Sequence, residues 1–373
     1  MITKTVCFIL ILFLTLGSKI RLNNPQIAKR KNCYHSLNPK TDSPEIFKVS
    51  RDTIQENIEG KLSKALLIHD KYYAFYEVRD PMSTQAIKKF YIIEKSGKNK
   101  KEIKVPQGIL EDTYPKLNYW HGRIIVNTEF HKCTYYLDED KGEFVKNPEI
   151  IKVPLFEDET CAVTSDCHGE FGSTIYFKNK STGTTDSAFS GCPFVVNKLG
   201  DKYFVNTDGM PDGDIIEIHD PIKVEATTKN IPLNMASRLT TRTVFTNDNF
   251  NSHFYIPTSF VTKGILYHIY NFRHIEFRLD EKKERVIITK DSVKIGIINN
   301  GVFKPVYTFK DKFDIELQQH LSSDYQICTF HTENRIQIGF KKDIPPYREA
   351  KYGFIEIKGN EIKIHYFISK KAG

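Results

Sequence analysis

Beyond about Ala65 the chain alternates apolar and polar residues with a period of two, in short runs that stop at Gly, Asp, Asn or Pro. That period is the strand period, and such stops are turn residues. The clearest stretch runs from Gly191 to Val224. Its runs FVVNK, YFVNT and DIIEI are parted by Leu199-Gly200-Asp201 and by the segment from Asp208 to Gly213, and the last one halts at His219-Asp220-Pro221. Three runs rich in Val, Ile, Phe and Tyr between such turns predict an antiparallel meander, a candidate propeller blade.

The same logic recurs. LLIHDKYYAFYEV turns at His69-Asp70-Lys71 and leads to KKFYIIEK and KEIKVP, while KLNYW, RIIVNTEF and CTYYLDED turn at His121-Gly122 and Lys141-Gly142. The segments starting at Pro115, Pro193 and Pro257 each carry a proline, an apolar strand, a glycine turn and a second strand that reaches an Asn, which makes them an internal repeat. Their spacings of 78 and 64 residues exceed the roughly 40 to 50 of one blade, so insertions or a divergent blade separate the first two. The segment from Cys161 to Ser190 is either part of that blade or a long loop. Strand signals return after an irregular stretch as GILYHIYNF, HIEFRLDE, RVIITKD and SVKIGIINN, with hairpin dipeptides at Asn300-Gly301 and Gly359-Asn360. Roughly twenty strands in all, taken four to a blade, predict an all-β propeller of five or six blades, six being preferred. Two β-sandwich domains split near Lys223 to Thr240 are the runner-up. Closure of a propeller pairs first and last strands, which brings the carboxy-terminal IEIKGNEIKIHYFI towards the first blade near Ala65. Residues 61–373 form the propeller domain in this reading, and residues 19–60 an extended arm ending in a helical turn near Asp52 to Ile58.

Composition agrees, with 26 Phe and 19 Tyr among 373 residues and 12% aromatics. The amino terminus adds location. Lys4 precedes the apolar run VCFILILFLTL and the small residues Gly17 and Ser18, the layout of a secretory signal peptide over residues 1–18. No later run is long and apolar enough for a membrane span. The mature chain then keeps Cys33, Cys133, Cys161, Cys167, Cys192 and Cys328, an even number in an oxidising compartment, for which three disulfides in any of 15 connectivities are expected. Cys161 and Cys167 are close enough to staple one loop, and Cys33 could pin the arm to the body. His131 near Cys133 and His168 beside Cys167 lack the paired C-x-x-C of a structural zinc site, so no metal is expected.

Net charge is +8. In a secreted chain this excess points away from nucleic acid and towards a protein or glycan at a cell surface. The densest basic run, Lys95 to Lys104, centres on Gly97 and Asn99 and reads as a hairpin tip.

Catalytic signals are sparse. Arg79-Asp80-Pro81 and Gly191-Cys192-Pro193 resemble the R-D-P and E-C-P motifs of the secreted levanase- and arabinanase-like propeller glycosidases. That resemblance implies a transition-state role for Asp80, but the general acid it requires is replaced by Gly191. Glycoside hydrolysis needs paired carboxylates, which Asp80 with Glu129, Glu170 or Asp208 would supply if their loops converge. This five-bladed hydrolase is the alternative function. The S-x-D-x-G-x-T-W turn of sialidase-like blades is missing, as are nucleophile-elbow and zinc-protease motifs. The acidic turn from Asp208 to Asp214 does not match a calcium loop. His268 and His274 read as packed or surface histidines, and no cofactor motif is present. Asn179-Lys180-Ser181 is a glycosylation sequon that would mark a surface loop in a eukaryotic secretory pathway. In plan the chain is similar to the non-enzymatic, cysteine-containing propellers of the malaria cysteine-rich protective antigen type, a six-bladed, sialidase-like scaffold in a host-cell invasion complex. The resemblance implies a secreted binding protein that offers its loops to a partner.

Overall fold

The computed structural model describes residues 47–56, 58–79, 86–113, 115–128, 130–167, 173–208, 213–219, 241–246, 252–280, 283–311, 330–332, 335–344 and 348–369. They form six sheets, one per blade, and the four strands of each blade run antiparallel, so the chain is an all-β six-bladed propeller. Blade 1 holds β2 (Lys61–Ile68), β3 (Lys71–Arg79), β4 (Ala86–Glu94) and β5 (Lys100–Ile103). Blade 2 holds β6 (Lys116–Trp120), β7 (Arg123–Thr128), β8 (Cys133–Asp138) and β9 (Glu143–Asn147). Blade 3 holds β10 (Phe156–Glu157), β11 (Cys161–Cys167), β12 (Ser173–Asn179) and β13 (Thr185–Ser190). Blade 4 holds β14 (Cys192–Leu199), β15 (Lys202–Asp208), β16 (Asp214–His219) and β17 (Thr241–Phe245). Blade 5 holds β18 (Ser252–Thr262), β19 (Ile265–Asp280), β20 (Lys283–Asn299) and β21 (Val302–Thr308). Blade 6 holds β22 (Phe330–Thr332), β23 (Arg335–Ile344), β24 (Arg348–Lys358) and β25 (Glu361–Ser369), with β1 (Lys48–Glu56) as a fifth strand outside β25. The two-sandwich and five-bladed alternatives are thereby excluded.

The divergent blade expected between Pro115 and Pro193 is blade 3, and Cys161 to Ser190 supplies three of its strands. Its sequence is poor in Val and Ile, which is why it reads ambiguously. The helical turn expected near Asp52 is instead β1. It runs parallel to β25 from Lys48 opposite Glu361 to Glu56 opposite Ser369, and so ties the first described strand to the last. The spacing of Ile54 and Ile58 suits a helix, but the unpaired edge of β25 offers a full row of hydrogen bonds and overrides it. After β1 the chain turns at Gly60, whose φ of 105° and contact with the Glu77 carbonyl leave no place for a Cβ.

Apolar clusters hold the blades to one another. Leu66, Phe75 and Phe90 of blade 1 pack on Leu117, Val126 and Phe144 of blade 2, with the Phe90 and Phe144 rings edge to face at 5.0 Å. Burying each such side chain is worth roughly 1.5–3 kcal/mol. Similar clusters join blades 3 and 4 through Phe177 and Tyr203, 4 and 5 through Phe245, Tyr270 and Phe303, and 5 and 6 through Tyr267, Ile269 and Ile364. Ile54, Tyr72, Tyr76, Phe354 and Phe367 close the ring between blades 6 and 1. Among the described residues no such cluster spans blades 2 and 3. There Trp120 Nε1 donates to Glu157 Oε2 at 3.0 Å, and Asn127 Nδ2 donates to the Ile151 carbonyl at 2.9 Å.

Candidate interaction face

In every blade the second strand meets the third at one end, where the chain also passes to the next blade. The first-to-second and third-to-fourth turns lie at the opposite end, because successive strands are antiparallel. The features that resemble a recognition surface gather at the former end.

Between blades 1 and 2 the connection contains a single helical turn, α1 (Gln107–Leu110), anchored by the fully buried Ile109. Gly108 lies flat on the Tyr135 hydroxyl, where a Cβ would collide. The following residues brace the β7–β8 turn. Asp112 Oδ2 accepts the Phe130 backbone N–H at 3.0 Å, Glu111 Oε2 meets His131 Nε2 at 2.7 Å, and Lys88 Nζ donates to the Leu110 carbonyl at 2.9 Å. Hydrogen bonds from Gln107 and His131 hold the Glu111 carboxyl below the usual carboxylate range, while burial lowers the Lys88 ammonium. Phe130 stands out at 77% exposure on this fixed backbone. An exposed aromatic on a rigid turn is the kind of group that anchors protein–protein contacts.

Between blades 3 and 4 a disulfide joins Cys167, which ends β11, to Cys192, which opens β14, with Cα atoms 5.0 Å apart. This corrects the expected Cys161–Cys167 staple. Cys161 and Cys133 are instead buried thiols, the latter with its sulfur 3.2 Å from Thr128 Oγ1. Facing positions at the end of one strand and the start of another met the disulfide distance, which no local spacing in the sequence shows. Cys33 and Cys328 lie outside the described residues.

Blade 5 departs most from a compact sheet. The sequence signals HIEFRLDE and RVIITKD are continuations of β19 and β20 rather than strands of their own, since no turn residue interrupts either. β18 pairs with β19 only as far as Ser252 opposite His274, and β21 pairs with β20 only as far as Thr308 opposite Lys294. From Ile275 opposite Ile288 to Asp280 opposite Lys283 the two strands continue with no third strand paired to them among the described residues. This ribbon projects about 20 Å at some 3.4 Å per residue. Its register sets Ile275 and Phe277 opposite Ile288 and Val286 in one row, and Arg278 opposite Arg285 in the other. At its base the Arg273 guanidinium lies 5.7 Å from the Tyr255 ring centre, and Ser252 Oγ meets His274 Nδ1 at 3.2 Å.

Of the carboxylates considered for hydrolysis, Asp80, Glu129 and Glu170 lie outside the described residues, as does the side chain of Asp208, whose backbone closes β15. Arg79, Thr128, Cys167 and Asp208 are the last residues of the second strands of blades 1 to 4, so each of the four follows or occupies the same junction in its blade. Among the described residues no group of three or more His, Cys, Asp or Glu could hold a metal. His131 is engaged by Glu111 and Cys167 by its disulfide, and His168 lies outside the described residues.

His268 is packed: its Nδ1 lies 2.6 Å from Ser259 Oγ, which donates to Asn206 Oδ1 at 2.8 Å, and desolvation pulls its pKa down to about 3. At the opposite end of the blades, the Lys95–Lys104 segment is the β4–β5 hairpin as expected, with Lys95 paired to Asp70 at 2.9 Å. Asn179 closes β12 there. Only 8% exposed, its Oδ1 accepts from Ser181 N, Ser181 Oγ and Thr182 N at 2.8–3.3 Å. Sequence reasoning passed over Tyr72, His365 and Glu356, three polar groups joined in the ring-closing seam. His365 falls in an apolar strand pattern and carries no motif.

No family model and no curated protein matches the chain. Among solved structures it is similar to the β-propeller domain of the Trilobed protease from Pyrococcus furiosus, at 10% identity and TM-score 0.32 over 80% of this chain and 94% of that one. Kluyveromyces lactis Hsv2 gives 10% identity and TM-score 0.29 over 80% and 94%, and the tricorn protease 11% and 0.21 over 81% of this chain and 26% of that one. At these scores the fold rests on the strand pairing of this chain.

Proposed function

We propose that this chain is a secreted, non-enzymatic binding protein that docks a protein or glycan at a cell surface through the face carrying Phe130, the Cys167–Cys192 disulfide and the β19–β20 ribbon. The observation that carries this reading is the ribbon. Among the described residues the hairpin beyond His274 has no sheet neighbour, and because a two-stranded hairpin alone gains little stability in water, we read its length as a sign that it is held by what it contacts. The disulfide on the same face fits an oxidising compartment. Among the described residues no helix is long and apolar enough to cross a membrane. The similarity in plan to the malaria cysteine-rich protective antigen points the same way, towards assembly at a host-cell surface. Asn179 is a glycosylation site in this reading, acceptable only before its turn closes.

The test uses fluorescently labelled full-length protein on cultured cells and a variant in which residues 276–287 are replaced by Asn-Gly. Saturable binding that the trimmed but folded variant loses by tenfold or more is expected. Unchanged binding by the trimmed variant overturns the role of the ribbon. Turnover on a glycan panel that Asp80→Ala abolishes overturns the non-enzymatic reading.

A further inference from the structure

The ring closes where blade 6 meets blade 1, and at the heart of that seam three polar side chains are bonded inside an apolar wall. Tyr72 of β3 places its hydroxyl 3.1 Å from His365 Nδ1, and His365 Nε2 lies 2.8 Å from Glu356 Oε2. Tyr72 and His365 are fully buried and Glu356 is 8% exposed. Phe354 stacks on the imidazole at 4.5 Å, and Phe367 sits edge-on to Tyr72 at 5.2 Å. With an ionised Glu356, one arrangement satisfies both contacts: Nε2–H donates to the carboxylate, and the Nδ1 lone pair accepts the tyrosine proton.

We infer that this seam is an acid-sensitive clasp of the ring, released when His365 takes up a proton. A protonated imidazole has two donors, so its Nδ1–H then faces the Tyr72 hydroxyl. The hydroxyl must turn to accept, and its own hydrogen is left in an apolar wall, which costs more than the lost bond. Charged groups flank the imidazole and its tyrosine partner. Glu356 comes from β24, Asp52 from β1 and Lys363 from β25, the last two paired at 3.0 Å; behind Tyr72 stands Asp70, paired with Lys95. Burial works against ionisation of Asp52, but the bond from Lys363 outweighs it and keeps the carboxyl below its usual range. Burial pulls the His365 imidazole below the ordinary histidine value of 6.5, against the attraction of Glu356. An opened seam exposes a histidine that binds its proton near that value. The closed ring is therefore at full strength above about pH 6.5 and weakens as pH falls below it.

The seam between blades 4 and 5 also buries a histidine, but it is built differently. Asn197 Nδ2 donates to the Ser259 carbonyl at 2.9 Å, and Asn206 ties Ser259 Oγ and the Ile256 carbonyl at 2.8 and 3.4 Å, so blades 4 and 5 stay bonded without His268. Acid acts on its histidine, once exposed, by the same linkage, so the seam between blades 1 and 2, with no buried histidine among the described residues, serves as the internal control.

Hydroxyl-radical footprinting of the full chain at pH 7.5 and pH 5.0 tests the clasp. Labelling of Tyr72, Phe354 and Phe367 should rise at least threefold at pH 5.0, with Phe75 and Phe144 between blades 1 and 2 unchanged. His365→Gln, a neutral side chain that can still bridge, should flatten the rise. Tyr72→Phe should show the raised labelling of Phe354 and Phe367 already at pH 7.5, and keeps the test open should His365→Gln not fold. No rise, an equal rise at both seams, or an undiminished rise in a folded His365→Gln overturns the inference.

Discussion

Asp158 shows what one carboxylate does in a turn. Its Oδ1 accepts from Thr160 N, Thr160 Oγ1 and Cys161 N, each at 2.8 Å, and its Oδ2 meets Lys198 of the next blade at 2.9 Å. Burial opposes ionisation, but these bonds outweigh it and bring the carboxyl to about 2. The depressed value means that the contribution is complete above the unfolded pKa near 3.8 and is lost as pH falls towards 2. Asp158→Ala should cost about 1 kcal/mol at pH 7, a figure discounted for partial solvation. Urea titrations of both proteins should show the difference shrinking between pH 4 and pH 2. Asp112 is more buried, at 2% exposure, and Asp112→Ala should cost about 1–3 kcal/mol by leaving the Phe130 N–H without this acceptor, read as a lower Tm.

Among the elements, the disulfide and the ribbon carry most of the interest. The Cys167–Cys192 link closes a loop with a sequence separation of 25, for which chain entropy gives about 3.5 kcal/mol. Cys192→Ser should lower stability by up to that amount in guanidinium titrations, and reductant should do the same to the parent. Strand limits were legible wherever a turn needs a positive φ, as at His69-Asp70, His121-Gly122, Asn300-Gly301 and Gly359. Blade 4 and the β4–β5 hairpin follow from such punctuation. What could not be read depends on distant partners. β1 is a strand only because β25 accepts it, Cys167 pairs by position in the ring, and His365 matters because Tyr72 lies 293 residues away in sequence. The ribbon escaped because continuity of a strand has no signal other than the lack of a break.

For the whole molecule, the six seams are unequal in chemistry. Blades 2 and 3 meet through Trp120 and Glu157, so the single tryptophan of the chain reports on that seam alone. Burial pushes the Glu157 carboxyl up, yet bonds from Trp120 and Lys180 more than offset it and leave it below its usual range. The bond persists in mild acid. Because the His121 ring lies 4.2 Å from the indole, the test uses a His121→Ala background, in which Trp120 emission should hold through mild acid and shift to the red only as the Glu157 carboxyl protonates, below the usual carboxylate range. A shift that tracks the opening of the ring-closing seam would show the blades parting together instead.

The parallel pairing of β1 with β25 has a consequence for biosynthesis. Lys48 must wait for Glu361, 313 positions later, before its ladder exists. At about 5–20 residues per second, translation holds β1 without its partner for roughly 15 to 60 s. The earliest of the described strands to be made is thus among the last to be placed, and its exposed edge during that interval is a natural client for a chaperone. A chain released short of Gly359 would never complete its ring.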